Sequence, residues 1–504
     1  MENRTSGILL NIASMPGSFG IGDFSCNVLE IIDDFAIMGF HWLQTLPITA
    51  IGEGNSPYSS PSAFALNYLY LDPYSLPDRY LTKEEITSFV YRGEPYLVDY
   101  EYAKRVKKEM LEIAYSRINE VDREAVSKFV SLQEFWISDY ALYMSLKDAH
   151  NGAPWYEWEQ KYKFRYPEAL KEAAEIYKER IYYYYFEQYI LRAQWEALKK
   201  HADSRGFGIF GDMPIYVSYD SADVWANPGL FQLDENLNKK AQAGVPPDYY
   251  SATGQLWGNP LYDYEVMRKD NYNWLTNRIA YNLSLYHLLR IDHFRGFYEY
   301  WAVDKDASSA EQGAWKKGPE MEIWEALRKK VPNPTIVAED LGIINDKVRK
   351  YVERSGFYGM RVMQFGFDGK SDNPHLPHNY IENCIAYSAT HDNNTTLGWL
   401  YELDNEGREY VLNYIGYEGN PFIEGKGYSS AVKAFVRTVL ASKANLAIIP
   451  VQDICGFGAD TRLNVPGVAE GNWRFRLTLS ALSEIDRVYY STLNRIYGRN
   501  NKSF

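Results

Sequence analysis

Eight short apolar runs recur along the chain and are typical of buried β-strands. Each holds four to eight residues, is rich in branched or aromatic side chains, and ends at a polar residue or a glycine. The predicted strands are residues 7–12, 42–47, 208–214, 288–292, 335–339, 359–365, 384–390 and 446–452.

Most of the segments between these runs space their apolar residues as amphipathic helices do. The clearest predicted helices are residues 27–38, 273–285, 323–330, 344–355 and 428–443. Because strand and helix alternate eight times, the sequence predicts an α/β fold built as a closed (β/α)8 TIM barrel. A doubly wound open sheet is the alternative that the pattern alone leaves open.

The spacing of the predicted strands is uneven, which indicates insertions. Residues 47 and 208 are separated by about 160 residues, far more than one crossover needs. We therefore expect one catalytic barrel domain over 1–504 with an inserted subdomain at about 50–200, whose later half is strongly helical and aromatic. A second insertion, at about 217–269, is rich in Gly, Pro, Asn and Trp and is expected to be loop-like.

Composition and charge exclude several classes of protein. The 504 residues are 46% hydrophobic and 24% charged, as in an ordinary folded chain, and no apolar run approaches the length of a membrane span. The net charge of −13 argues against a general nucleic-acid surface. Three cysteines without a CxxC motif, and an N-terminus unlike a secretory signal, predict a reducing cytoplasm.

Aromatic residues are the unusual part of the composition. They make up 16% of the chain, with 44 Tyr and 13 Trp. Flat rings with polar edges stack on sugar faces, so the surplus is compatible with sugar binding. Ordinary aromatic packing in the core and on the surface explains the same figure.

Carboxylates follow four of the eight predicted strands. They are Asp212, Asp292, Glu339 and Asp392. In a barrel enzyme the chemistry lies where the strands end, and burying a charge costs free energy unless the charge is paired or used. One such carboxylate could be a helix cap, but four at one rim predict a functional cluster.

Two of these carboxylates have neighbours that predict opposite behaviour. Arg290 and Asp292 are two apart on a strand and face the same side, so the arginine should keep the aspartate ionised, unless the pair is only a salt bridge between strands. Glu339 follows an apolar run, and burial would raise the pKa of its carboxyl group and suit it to general-acid work. Its alternative role is a helix cap. Asp340 should face the opposite side and be structural.

Two carboxyl groups in opposed protonation states are what glycoside cleavage requires. Metal binding is the competing interpretation, because Asp212, Asp292, His293 and His391 could be imagined as ligands. No HExxH, HxH or cysteine ligand accompanies them, and neither GxGxxG nor GxxxxGK[ST] is present. We therefore expect no metal and no cofactor.

At these residues the sequence resembles a known family. Over residues 4–476 it carries, in order, RTSGILLNIASMPGSFGIGDF, HWLQTLPI, GEGNSPYSSPSAFALNYLYLD, GDMPIYV, DSADVWANPGLF, GVPPDYYSATGQLWGNPLYDY, RIDHFRGF, IVAEDLG, ATHDNNTTLGW and QDICGFGADTRLNVPG. These stretches are similar to the 4-α-glucanotransferases of the amylomaltase or disproportionating-enzyme type. That family is glycoside hydrolase family 77, within the wider α-amylase clan. The clan's usual C-terminal β-domain is expected to be missing.

The resemblance implies roles for particular residues. Asp292 matches the nucleophile, Glu339 the acid/base and Asp392 the carboxylate that stabilises the transition state. The segment 244–260 resembles a flexible lid over the acceptor groove. The implied substrate-binding residues are Tyr58, Asp212, Arg290 and His391, together with Asp248, Tyr249 and Trp257 of the lid.

The implied activity is a retaining transfer of an α-1,4-glucan segment to the 4-hydroxyl of an acceptor glucose or glucan. Expected substrates are malto-oligosaccharides and starch-type or glycogen-type glucans. An α-amylase-like hydrolase would use the same carboxylates, with water in place of the acceptor. A non-catalytic glucan-binding protein is the third reading, although it would not need all three carboxylates.

Overall fold

The computed structural model describes residues 4–247, 251, 253–342, 344–422, 430–468 and 470–500. The strands of the described residues are β1 (Thr5–Leu9), β2 (Trp42–Gln44), β3 (Gly208–Met213), β4 (Ala241–Val245), β5 (Gln255–Pro260), β6 (Leu288–Ile291), β7 (Glu299–Asp304), β8 (Gly313–Lys317), β9 (Ile336–Ala338), β10 (Gly359–Val362), β11 (Cys384–Tyr387) and β12 (Leu446–Pro450). Eight of these strands form one parallel sheet, in the order β10-β11-β12-β1-β2-β3-β6-β9.

The two ends of this sheet meet. Val337 of β9 forms a parallel bridge with Tyr358, the residue before β10, and the amide of Ala338 donates to the Tyr358 carbonyl at 2.7 Å. The sheet therefore closes into a barrel, which confirms the predicted (β/α)8 fold. Each of the eight apolar runs overlaps one barrel strand, and the strands are almost wholly buried because helices cover the outside of the barrel.

Helices occupy most of the connections. The predicted helices at 27–38, 273–285, 323–330, 344–355 and 428–443 correspond to the observed helices Cys26–Ile37, Asn273–Leu285, Met321–Lys330, Asp346–Ser355 and Ala431–Ala441. The helices of the described residues are α1 (Cys26–Ile37), α2 (Lys83–Ser88), α3 (Tyr100–Ser116), α4 (Glu120–Leu132), α5 (Ile137–Ala149), α6 (Gln160–Lys163), α7 (Pro167–Ile176), α8 (Lys178–Ser204), α9 (Ala222–Ala226), α10 (Tyr264–Lys269), α11 (Asn273–Leu285), α12 (Met321–Lys330), α13 (Asp346–Ser355), α14 (Thr396–Glu402), α15 (Asn405–Tyr414), α16 (Ala431–Ala441), α17 (Val451–Cys455), α18 (Leu479–Ser483) and α19 (Arg487–Ile496). None of these helices is both long and apolar enough to cross a bilayer.

The long stretch between β2 and β3 contains α2 to α8 and packs on the barrel. The indole nitrogen of Trp195 on α8 donates to the Leu285 carbonyl at 3.1 Å, and its ring lies 5.3 Å from that of Phe24. Lys107 on α3 forms a fully buried ion pair with Asp23 at 2.6 Å. Because a buried charge is costly unless it is paired, removing either partner would destabilise this contact between α3 and the segment before α1.

The expectation that residues 217–269 are loop-like is wrong in part. This stretch holds β4 and β5, which join β7 and β8 in an antiparallel sheet of order β5-β4-β7-β8. Glycine in β4 permits close strand approach, since a Cβ on Gly244 would lie 2.5 Å from the carbonyl oxygen of Gln255. The composition therefore signalled tight strand packing as well as turns, and the sheet forms a wall beside the carboxyl end of the barrel.

Candidate active site

A cleft of about 680 Å³ opens where the barrel strands end. Its floor comes from the ends of β6, β9 and β11, and one wall comes from the small antiparallel sheet. Asp212 lies just beneath the floor, and Asp248 and Tyr249 lie outside the described residues. The remaining predicted site residues all line the cleft: Tyr58, Trp257, Arg290, Asp292, Glu339, His391 and Asp392.

Arg290 links two of the carboxylates. It lies on β6 beside Asp212 of β3, and its guanidinium contacts Asp212 at 2.5 Å and Asp292 at 2.6 Å. The side chain of Asp212 is fully buried, whereas 29% of that of Asp292 is exposed. Burial raises the pKa of Asp212 and Arg290 opposes that rise. The arginine therefore neutralises an aspartate below the floor and holds a second one facing the cleft.

Glu339 follows β9 and is held by backbone donors. One carboxyl oxygen accepts from the amide of Leu341 at 2.7 Å, and the other accepts from the amide of His293 at 2.8 Å. Desolvation, followed by the negative charge of Asp292, raises the pKa of Glu339 to about 8. The predicted rise is therefore confirmed, and the backbone bonds fix how the carboxyl group faces the cleft.

The amide that binds Glu339 comes from a left-handed residue. His293 has φ 50° and ψ 48°, which is uncommon for a residue with a side chain and turns the chain sharply after β6. Burial lowers the pKa of the His293 imidazole to about 4, so the ring is neutral at ordinary pH. Its ring packs edge-on against Trp257 with a centroid distance of 4.9 Å. This residue therefore positions the glutamate through its backbone and the tryptophan through its side chain.

Asp340 faces away from the cleft, as predicted. Its carboxylate accepts from the amide of Met360 at 2.6 Å and pairs with Arg361 at 3.0 Å. Burial raises its pKa, and Arg361 and the Met360 amide oppose that rise. These bonds join the end of β9 to β10, so Asp340 braces the barrel wall that carries Glu339.

A second chain of hydrogen bonds crosses the floor to Asp392. The Tyr58 hydroxyl donates to Asp212 at 2.6 Å and lies 2.9 Å from Nε2 of His391. The Tyr58 and His391 rings stack at 5.3 Å, and Nε2 of His391 is 3.3 Å from the Asp392 carboxylate. The amide nitrogen of Asn464 donates to Asp392 at 2.6 Å. The third carboxylate is thus oriented by neighbours on two sides.

Several cleft residues were missed from the sequence. Asn464 lies 72 positions after its partner Asp392, and no local signal marks that pairing. Trp473 packs behind Tyr58 at a ring distance of 5.9 Å and also lines the cleft. Trp315 lies on β8, in a sheet that was not predicted. Tryptophan in a Gly-rich or polar stretch was the only available sign for the last two.

The arrangement suits acid-assisted substitution at a sugar carbon. A carboxyl group with a raised pKa can donate a proton at neutral pH, while the arginine-bound carboxylate beside it faces the same cleft. Within the described part of the chain, no cluster of three or more His, Cys, Asp or Glu side chains is arranged to hold a metal ion.

Comparisons with known proteins agree with this geometry. The family model described as 4-alpha-glucanotransferase, of glycoside hydrolase family 77, matches residues 10–481. A 4-alpha-glucanotransferase of Synechocystis is 40% identical over 511 residues, covering 99% of both chains. That of Aquifex aeolicus is 40% identical, covering 98% of this chain and 99% of its own.

A solved structure gives the same result. The amylomaltase of Streptococcus agalactiae in complex with acarbose superposes with a TM-score of 0.94 at 34% identity, covering 99% of this chain and all of its own. The resemblance noted in the motifs is therefore confirmed over nearly the whole length. The chain belongs to the 4-alpha-glucanotransferase family, glycoside hydrolase family 77.

Proposed function

We propose that this chain transfers segments of α-1,4-glucan between malto-oligosaccharides with retention of configuration. Asp292 is the nucleophile, Glu339 the acid/base and Asp392 the group that stabilises the transition state. The observation that carries the proposal is the pairing of Glu339, whose pKa is raised to about 8, with Asp292, which is bound to Arg290 and faces the same cleft. A retaining enzyme needs such a pair of carboxyl groups on one cleft, one of which can donate a proton.

In the first step Asp292 attacks the anomeric carbon of the donor glucan. The bond between that carbon and the glycosidic oxygen breaks, and Glu339 gives its proton to the departing oxygen. The products are a shortened glucan and a covalent glucosyl-enzyme on Asp292. Arg290 stays bound to both Asp292 and Asp212, so the nucleophile is held in place throughout the step.

In the second step the ionised Glu339 removes the proton from the 4-hydroxyl of an acceptor. The acceptor oxygen attacks the anomeric carbon and releases Asp292, so the glutamate regains its proton and the configuration is retained. Asp392, held between Asn464 and His391, offsets the positive charge on the sugar ring.

The other predicted residues bind the sugar around the reacting bond. Tyr58 and His391 present stacked rings at the floor of the cleft, joined by a hydrogen bond. Asp212 acts from below by fixing Tyr58 and Arg290. Trp257 forms part of the wall above them, and we propose that it closes over the substrate together with Asp248 and Tyr249.

Substrate class, domain organisation and compartment complete the proposal. The substrates are malto-oligosaccharides and longer glucans of the starch or glycogen type, in line with the names of the relatives and with the acarbose bound to the Streptococcus amylomaltase. The insertions at about 50–200 and 217–269 serve a single catalytic domain. The three cysteines are free thiols, which fits a reducing cytoplasm.

Incubation with maltotriose tests the proposal. Transfer yields glucose together with a ladder of maltopentaose and longer chains, because each shortened donor is matched by an extended acceptor. Separation of the products over time shows this ladder directly. An Asp292→Asn preparation, purified in the same way, controls for contaminating enzymes. Glucose and maltose alone, with no chain longer than the substrate, would mean hydrolysis and would overturn the assignment.

A further inference from the structure

One aromatic side chain in the cleft has no part in the mechanism above. Trp315 lies on β8, an edge strand of the small sheet, and is 37% exposed. Single exposed apolar residues are common on protein surfaces and need no explanation. Trp315 differs because it lines the same cleft as Glu339.

The ring of Trp315 is held firmly. The guanidinium carbon of Arg295 lies 3.8 Å from the ring centroid, and the Trp301 ring packs against it at 5.1 Å and 61°. Arg295 is itself ion-paired to Glu299. A ring fixed in this way loses little side-chain freedom when a ligand covers it, which favours binding.

Edge protection does not account for an exposed tryptophan at this position. Edge strands usually avoid unwanted pairing by carrying charged side chains, especially lysine. On β8 that role is already met by Lys316 and Lys317, which directly follow Trp315 and are exposed. The indole adds apolar area to an edge strand that the two lysines already protect from unwanted strand pairing. Its position in the cleft therefore has another explanation.

The contacts of Arg295 place this ring on the side of the cleft that carries Glu339. The Glu299 carboxylate that binds Arg295 also accepts from the side chain of Asn345 at 3.4 Å. Asn345 caps α13, which follows the loop after Glu339, and Leu341 of that loop lines the cleft. Since Glu339 protonates the departing oxygen, the leaving group and later the acceptor lie on this side.

We propose that Trp315 is a stacking platform for a glucose ring of the acceptor glucan, beyond the ring whose hydroxyl Glu339 deprotonates. The flat apolar face of glucose packs on the exposed indole, while Arg295 and Trp301 keep the indole in place. Trp315 thereby favours acceptors of several glucose units over free glucose. This inference rests on the proposed function and names the acceptor preference of the same site.

The contribution of Trp315 to acceptor binding can be measured with a donor that leaves the acceptor side of the cleft empty. We would use α-maltotriosyl fluoride whose non-reducing 4-hydroxyl is blocked, so that it cannot accept, and follow fluoride release above the rate in water alone. Glucose and maltotriose are varied in turn as acceptors. Trp315→Thr is the test variant, because threonine suits a β-strand and removes the ring.

The expected result is a change that depends on acceptor length. Trp315→Thr raises the KM for maltotriose by about 10-fold, the size typical of losing a buried aromatic contact, and leaves the KM for glucose within about twofold. Trp315→Phe keeps a flat ring and retains most of the maltotriose preference. Tyr166→Ala removes an exposed ring that does not line the cleft and leaves both constants unchanged.

Two outcomes overturn the inference: an unchanged KM for maltotriose in Trp315→Thr, or equal rises for glucose and maltotriose. A melting curve for each variant shows that the fold is intact, and the Phe variant supplies the same comparison if the Thr variant is destabilised. Failure of the proposed function looks different, because the wild-type protein itself would then release fluoride no faster with either acceptor.

Discussion

Two glutamates in different regions of the molecule share a raised pKa and very little else. Glu339, at the carboxyl end of the barrel, has a pKa of about 8, and Glu187, on α8 within the long insertion, has a pKa of about 7. Desolvation is the largest cause for both. Glu187 is only 3% exposed, whereas Glu339 opens to the cleft.

The contacts of the two glutamates explain why only Glu339 is proposed to be catalytic. Glu339 accepts two backbone hydrogen bonds and faces the charge of Asp292. Glu187 accepts from the side chain of Gln188 at 3.0 Å and lies close enough to Tyr140 and Tyr183 that, after burial, its charge raises the pKa of both hydroxyls. A perturbed pKa therefore marks a catalytic group only where a cavity and a second reacting group accompany it.

The largest effect is expected at the nucleophile. Asp292→Asn keeps the shape of the side chain but removes the attacking charge, so turnover should fall on the order of 10³-fold or more. Arg290 retains Asp212 as its partner, so the melting temperature should change little. Initial rates on maltotriose and a thermal melt check both. Turnover near the wild-type rate, in clean protein, would remove Asp292 from this role.

Glu339→Gln should separate the two chemical steps. With maltotriose as donor the rate should fall by roughly 10²–10⁴-fold, because no proton reaches the departing oxygen. With α-maltosyl fluoride, whose leaving group needs no proton, formation of the covalent intermediate should be largely spared. A rapid-quench measurement of the fluoride burst shows this. Equal collapse with both donors would argue against Glu339 as the acid.

The pH dependence follows from the direction of the same shift. Glu339 must carry its proton for the first step, and its pKa is raised to about 8. The value of kcat/KM for maltotriose should therefore fall as the pH rises through about 8. For the fluoride donor the first step should lack this alkaline fall. An identical alkaline fall with both donors would assign it to another group.

A smaller effect on transfer is expected from substitutions in the wall of the cleft. Trp257→Ala removes the ring that packs on His293 at 4.9 Å, and should lower transfer by about 10-fold while hydrolysis changes less. Tyr249→Ala should act in the same direction. The ratio of hydrolysed to transferred product checks this, and Trp257→Phe is the matched control. An unchanged ratio together with a lower melting temperature would mean that the ring only packs the wall.

The barrel and its carboxylates could be predicted from the sequence for a simple reason. Strands buried on both faces are continuous apolar runs, and a closed parallel sheet brings all their carboxyl ends to one rim. Asp292, Glu339 and Asp392 therefore had to meet once the barrel was predicted. Asp340 was correctly assigned to the opposite side, because neighbouring positions at the end of a strand point apart.

What the sequence did not reveal depends on pairings that local patterns do not record. The strands β4, β5, β7 and β8 are less buried than the barrel strands, and β8 is wholly exposed, so they lack the continuous apolar runs that marked the barrel strands. The left-handed turn at His293 and the bond from Asn464 to Asp392 depend on how distant segments meet. Glu187 lies within an aromatic helix whose sequence does not indicate that this carboxyl group is buried.

Glu187→Gln should have the smallest effect on activity, and it directly tests the comparison between Glu187 and Glu339. The folded protein holds the Glu187 proton more tightly than the unfolded chain does, because its pKa is raised from 4.5 to about 7. This group therefore costs the wild-type protein stability as the pH rises between these two values, and the Gln variant lacks that contribution. The advantage of the variant should grow by roughly 3 kcal/mol across that range.

Urea unfolding at pH 5 and pH 8 measures that growth, and the exposed Glu168→Gln provides the control in which no growth is expected. Transfer activity should stay at the wild-type level, because Glu187 does not line the cleft and its carboxyl group accepts from Gln188. Glu339→Gln should gain stability with pH in the same direction and yet lose its activity. If Glu187→Gln loses activity as Glu339→Gln does, the distinction between a buried carboxyl group and a catalytic one fails.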